Sequence, residues 1–375
     1  MNNKGRINIF FVLMLIIFFI VLFFGYVFYT NENGKEKIAN IYISNFDIEN
    51  VDVKPNNIEE RENLKINFTN TSNSNNVNII QEQVNSKSFY FNQLDENGKI
   101  IYNKISENKE NIKTGTYCIN FETIFNDLLH KENGEQTISD SFQAGVTAYI
   151  LDNVDCFYID VSKLKLKIIS TTIGTNTTYT VTLENDENGT YFIDGINSRQ
   201  DVEIKTNQLE NVRKLVVDAA KNMDDYEKIK MVHDTLVDNL TYDLTTEKIN
   251  THNVYGALVE RNSVCDGYAK AMKYLLDTLD VPCIIVTGVG KNSEEQTESH
   301  AWNYVKLNGQ WYGIDATWDD PIINGENASL TPEEYKYQFF LKGKETFETN
   351  YVKSEYISNT QIKIYYPELN DKDYK

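Results

Sequence analysis

The sequence predicts a mixed α+β protein, and three observations predict it. Apolar residues between 207 and 240 recur at helical spacing. The runs His300–Leu307 and Gln310–Thr317 are strand-like and flank Asn308-Gly309, the strongest short hairpin signal. Leu164–Thr172 and Tyr179–Leu183 alternate as two further strands.

The chain opens on an anchor. Ile9 to Tyr29 is almost wholly apolar, interrupted only by Gly25. Twenty-one helical residues would span roughly 31 Å, about the thickness of a hydrocarbon core. A secretory leader is shorter and ends at a small-x-small cleavage site, which Phe23-Phe24-Gly25-Tyr26 does not offer. Lys4 and Arg6 precede the run, so residues 1–30 predict a cytoplasmic tip and a single uncleaved transmembrane helix over 9–29. The rest of the chain is then expected outside the cell membrane. Residues 31–85, rich in Asn, Lys and Glu around Thr69–Asn76, predict a flexible linker in which Ile41-Tyr42-Ile43 could form a strand.

Two folded regions follow. The first, over 86–200, is a smaller accessory α+β region. It has a helical stretch around Lys99–Ile105, recurring apolar residues from Ala144 to Val154, a strand over Cys156–Val161, and the two alternating strands. Nothing in it groups an acid, a base and a nucleophile, so a packing or ligand-presenting role is expected.

The second region, 201–375, begins with a helix over roughly 207–222, marked by Leu209, Val212, Leu215, Val216 and Ala219. Asp224, with Glu227 three residues on, reads as a capping box opening a helix that buries Ile229, Val232, His233, Leu236, Val237 and Leu240. On that apolar face His233 reads as a hydrogen-bonded packing residue rather than a catalyst. Ala269, Met272, Leu275, Leu276 and Leu279 form another helical stripe, which sets Cys265 at or just before a first turn. Unpaired backbone N–H groups and the positive end of the helix dipole favour a thiolate there. Gly267, one turn away, is expected to let a substrate backbone approach.

Histidine and aspartate are placed by register. A two-residue loop at Asn308-Gly309 pairs 307 with 310, so Trp302 opposes Asp315 and His300 opposes Thr317. His300 and Asp315 then share a face as diagonal neighbours, about 7–8 Å apart at the backbone and within side-chain reach. A bulged three-residue loop would spoil this parity. All three tryptophans, Trp302, Trp311 and Trp318, lie in the same hairpin region.

Cys265, His300 and Asp315 thus supply a nucleophile, its base and the base's orienter, in that order. Asn262–Ala269, His300-Ala301-Trp302-Asn303 and Asp315–Pro321 resemble the three signature blocks of the transglutaminase-like superfamily. Lys228–Asp243 and Val254–Leu258 resemble its bacterial members over about 205–345. The resemblance implies a papain-like core with Cys265 on a helix and His300 and Asp315 on neighbouring strands of an antiparallel sheet. It also implies amide acyl transfer through a thioester, with Cys265, His300 and Asp315 as the catalytic residues and the Cys265 N–H as an oxyanion donor. The side-chain oxyanion donor is not identified.

Composition limits the partners. The 375 residues are 41% hydrophobic and 24% charged, as in globular proteins, with a net charge of −19 and no basic block, which disfavours nucleic acid. The expected partner is a protein or peptide substrate, cell-wall peptide included. Asp319 and Asp320 lack a spaced third acid and read as turn or cap residues rather than metal ligands, and the chemistry requires no cofactor. With Cys265 free, at most one disulfide remains among Cys118, Cys156 and Cys283, and Cys283 reads as core. Three functions are consistent with this pattern: an amide acyltransferase cross-linking proteins at the cell surface, a cysteine peptidase or amidase, and a binding module with an inactive triad.

Overall fold

A computed structural model describes residues 26–30, 36–42, 84–185, 189–245, 248–291, 296–320 and 335–375. Two antiparallel sheets organise them. The first has strand order β1 (Tyr26–Thr30), β2 (Glu36–Tyr42), β4 (Leu164–Ile173), β5 (Asn176–Asn185) and β3 (Ile119–Glu122); the second has order β10 (Gln310–Ile314), β9 (Thr297–Leu307), β8 (Cys283–Lys291) and β11 (Tyr351–Lys353). Two-residue strands β6 (Thr241–Tyr242) and β7 (Asn262–Ser263) form a parallel pair beside the second sheet's helices.

The N-terminal segments differ from expectation. The anchor expected over 9–29 lies outside the described residues up to Gly25, and Tyr26–Tyr29 are strand. Among the described residues no helix is long and apolar enough to cross a membrane. Within the expected linker, β2 pairs with β4 over seven residues, from Glu36 opposite Thr171 to Tyr42 opposite Lys165. Short runs rich in aromatic and β-branched residues suit a strand as well as a helix, and apolar content alone does not separate the two.

In the accessory region the expected helix is α1 (Glu96–Glu107), and the recurring apolar residues from Ala144 belong to a second helix, α2 (Gly134–Asp152). Asp95 caps α1 by accepting from the Gly98 N–H at 2.8 Å. From Ser141 to Asp152 every residue of α2 is buried, which explains why its sequence shows apolar recurrence without a polar face. The strand expected over Cys156–Val161 is absent. Ile159 forms one isolated bridge to Phe192, and Val161–Lys163 is a single helical turn that Asp160 caps. An apolar run bends there because Asp160 captures the Ser162 N–H, 3.0 Å away.

Two helices lead into the second region. α3 (Arg199–Ala219) starts earlier than the apolar stripe suggests, because the Ser198 hydroxyl caps it. It buries Val202 and Leu209, whereas Leu215, expected on the buried stripe, is 70% exposed. α4 (Asp225–Asn239) opens on the expected capping box, with both Asp224–Glu227 bonds at 2.9 Å, and buries Ile229, Val232, His233, Leu236 and Val237. α5 (Cys265–Thr278) lies between α4 and the faces of β8 and β9.

The accessory region and the second region share one apolar core, which runs from Phe89 and Ile101 through Tyr158 to Ile284 and Trp302. Polar contacts reinforce the junction. The Tyr90 hydroxyl donates to the Ile285 carbonyl at 3.0 Å, and the buried Lys273 ammonium reaches the Ser86 carbonyl at 3.1 Å and Asp277 at 2.7 Å. The Tyr90–Ile285 and Lys273–Ser86 bonds hold the accessory chain against β8 and α5.

Candidate active site

Cys265 is the first residue of α5, with Val264 in extended conformation before it. The helix gives first-turn N–H groups no intrahelical acceptor, so the Cys265 amide and the helix dipole both face the thiol end. Asn303 fixes α5 over β9: its Nδ2 donates to the Ala269 carbonyl at 3.0 Å. That bond sets Cys265, one turn before Ala269, over the part of β9 that carries His300.

The hairpin has the expected two-residue loop and register. Gln310 pairs with Leu307 and Ile314 with Asn303, so the parity that puts His300 and Asp315 on one face holds. Asp315 lies one residue past β10, and His300 Nε2 bonds its Oδ2 at 2.7 Å, with both side chains buried. Cys265 lies near enough to His300 to add to the preference for its cation. Burial pulls the imidazolium pKa down, but the charge and bond of Asp315, with a smaller contribution from Cys265, more than offset it and hold His300 up to about 10.

Asp315 is fully engaged. Its Oδ1 accepts from the Thr317 N–H at 2.9 Å and the Trp318 N–H at 3.2 Å, while its Oδ2 also accepts from the Tyr351 hydroxyl at 2.7 Å. Four donors satisfy the buried carboxyl group and leave it no freedom to rotate. Trp318 stacks on His300, and Trp302 and Tyr351 close the same aromatic wall.

One expectation about a neighbouring residue is corrected. Gly267 does not open a path for substrate: a Cβ there would sit 1.9 Å from Ser263 Oγ and 2.5 Å from the Thr251 carbonyl, so glycine serves the packing of α5. Asp319 and Asp320, read as turn or cap residues, lie at the end of the turn 315–320, where they are fully buried and act as cross-links. Asp319 accepts from His233 Nε2 at 3.0 Å and from the Phe339 N–H at 2.7 Å, and Asp320 accepts from the Tyr268 hydroxyl at 2.8 Å. His233 is the packing histidine its position suggested, held between Asp319 and Asp234. Burial disfavours its cation, yet the two carboxylates raise its pKa above the ordinary value. The turn 315–320 is thereby tied to α4 and α5.

The four cysteines are free. Cys283 is fully buried on β8, where burial pushes its thiol pKa up, and Cys156 is buried beside Tyr149 and pushed up to about 11 for the same reason. Tyr351 is the residue that sequence reasoning missed. No local pattern reveals that its hydroxyl meets Asp315.

The family described as transglutaminase-like superfamily matches residues 213–316. Kyphoscoliosis peptidase of Mus musculus is 25% identical over 144 residues, covering 36% of this chain and 21% of that protein. The Homo sapiens protein of the same name is 25% identical over 117 residues, covering 28% and 18%. The chain therefore spans about a fifth of the length of the curated relatives it matches. Among solved structures, a TGase is 17% identical with a TM-score of 0.29, covering 43% of this chain and 46% of that one. A putative cysteine protease from Cytophaga hutchinsonii is 20% identical with a TM-score of 0.25, covering 40% and 57%.

Proposed function

We propose that the transglutaminase-like superfamily domain carried by residues 213–316 is an amide acyltransferase acting on protein or peptide substrates through Cys265, His300 and Asp315. The observation that carries this reading is the buried His300–Asp315 bond, with Cys265 acting on the same imidazole. A histidine beside a first-turn cysteine is placed to exchange a proton with the reacting groups.

The Cys265 thiolate attacks the amide carbonyl, forming the C–S bond, and the Cys265 N–H stabilises the oxyanion. His300 gives its proton to the leaving nitrogen as the C–N bond breaks, which leaves a thioester and a neutral imidazole. An incoming amine then attacks the thioester and loses a proton to His300. The C–S bond breaks, and the thiolate–imidazolium pair is restored. Asp315 keeps the Nε2 proton in place throughout.

Incubation of the full chain with a glutamine peptide and a fluorescent primary amine tests this. Covalent incorporation of the amine, lost in Cys265→Ala, is the expected result; conversion of the glutamine to glutamate without incorporation would sink the transferase reading. Hydrolysis is the second reading, and the peptidase name of the curated relatives favours it. Turnover of neither kind leaves the inactive binding module.

Attachment to the cell membrane, with the domain outside, is supported by the apolar run ahead of Tyr26 and by Lys4 and Arg6 before it. Recovery of the chain in the soluble fraction after cell lysis, without detergent, would refute it.

A further inference from the structure

Tyr351 lies beyond the segment matched to the family and reaches the site from the far edge of the sheet. β11 pairs with β8, setting Tyr351 opposite Gly290 and Lys353 opposite Gly288, and β8 in turn sets Gly288 opposite His300. Both glycines are required by space. A Cβ at Gly288 would lie 2.1 Å from the Val352 carbonyl, and one at Gly290 would lie 2.6 Å from the Trp318 ring and 3.3 Å from His300 Cβ. The space they leave is taken by the Val352–Lys353 backbone and by the Trp302 and Trp318 rings, while the Tyr351 ring stacks on Phe347 at 4.0 Å and 9° and stands 5.0 Å from Trp318. Its hydroxyl reaches Asp315 Oδ2, the same oxygen that bonds His300.

We propose that Tyr351 is a positioning residue for the His300–Asp315 pair: its hydroxyl holds Oδ2 against His300 Nε2 and limits how strongly that oxygen draws the imidazole's proton. One carboxylate oxygen shared between two donors gives less negative charge to each. The charged and titratable groups around the pair are Cys265 from α5, Tyr351 from β11, Asp319 from the turn after Asp315, and Glu298 on β9. Burial and the neighbouring Asp315 raise the phenol of Tyr351 well above its ordinary value, so it remains a neutral donor at working pH. Removing that donor therefore strengthens the Asp315–His300 interaction instead of weakening it. A purely structural residue predicts no such sign.

This role rests on the acyl-transfer reading of the site, but its test does not depend on turnover. In the full chain with isotope-labelled histidine, the titrations of His130, His233, His252 and His300 are followed by NMR. Tyr351→Phe keeps the ring and removes the hydroxyl. It is expected to raise the His300 midpoint by roughly half a pH unit to one pH unit, leaving the other three unchanged. Phe347→Leu removes the stacking partner and keeps the hydroxyl; it is expected to lower the melting temperature with His300 unmoved. The proposal is overturned by an unchanged or lowered His300 midpoint in Tyr351→Phe, or by an equal rise in Phe347→Leu. It is also overturned if Tyr351→Phe fails to fold while Phe347→Leu folds, because the hydroxyl is then structural. A shifted His300 midpoint in a chain that incorporates no amine leaves the positioning role standing and removes the transferase reading.

Discussion

The indole of Trp318 lies flat on the imidazole of His300, with ring centroids 4.5 Å apart and planes 17° apart. An aromatic face attracts a cation, so the stack favours the protonated imidazole as Asp315 does, from a different direction. Trp318→Leu is expected to lower the His300 midpoint by roughly one pH unit, whereas Trp318→Phe, which keeps a ring face, moves it less. Histidine NMR reads both variants. A midpoint that rises in Trp318→Leu would show that burial, not the ring face, governs this contact.

Cysteine reactivity separates a nucleophile from a core thiol. Cys265 is expected to alkylate faster with iodoacetamide near neutral pH than Cys156 or Cys283, whose burial raises their thiol pKa values. His300→Ala is expected to slow Cys265 about tenfold or more and leave the exposed Cys118 unaffected. Peptide mapping by mass spectrometry gives the rates site by site. Equal rates at Cys265 and Cys283 would argue against any catalytic role for the trio.

The His300–Asp315 pair also links stability to pH. The folded chain holds His300 up to about 10, against about 6.5 in an unfolded chain. A raised pKa means that the folded state binds the proton more tightly. This contribution is therefore complete below about pH 6.5 and is lost as pH rises towards 10. Urea midpoints are expected to fall across that window, with a slope of at most about 1.4 kcal/mol per pH unit from this one group. Asp315→Asn is expected to flatten the slope and to reduce amine incorporation by about 10³-fold or more. An unaltered slope in Asp315→Asn would place the pH dependence elsewhere.

His233 and Asp319 test the support behind the turn. His233→Leu leaves the Asp319 carboxylate buried with one partner fewer and is expected to cost about 3–5 kcal/mol in urea unfolding. The paired change His233→Leu with Asp319→Leu is expected to recover part of that loss, because no charge is then stranded. A double variant less stable than the sum of the singles would contradict the pairing.

Periodic elements were legible in the sequence. The capping box at Asp224, the α5 stripe and the Asn308-Gly309 register each depend on residues close in the chain, and each appears where its spacing puts it. Cys156–Val161 and Tyr26–Tyr29 were misread because an apolar run states burial, not backbone conformation. Gly267 was misread for another reason: glycine marks close approach, but its sequence does not say whether substrate or the neighbouring Ser263 comes close.

The sequence by itself determined that Cys265 starts a helix and that His300 and Asp315 share one face of a hairpin, because helix caps and strand parity are local properties. Only the tertiary structure decided what holds that pair. Tyr351 is 36 residues from Asp315 in the chain, and His233 is 86 residues from Asp319. Such partners meet only after β11 docks on β8 and α4 packs behind the turn. A buried carboxylate must find its donors wherever the packed core supplies them, and no spacing rule records which ones those are.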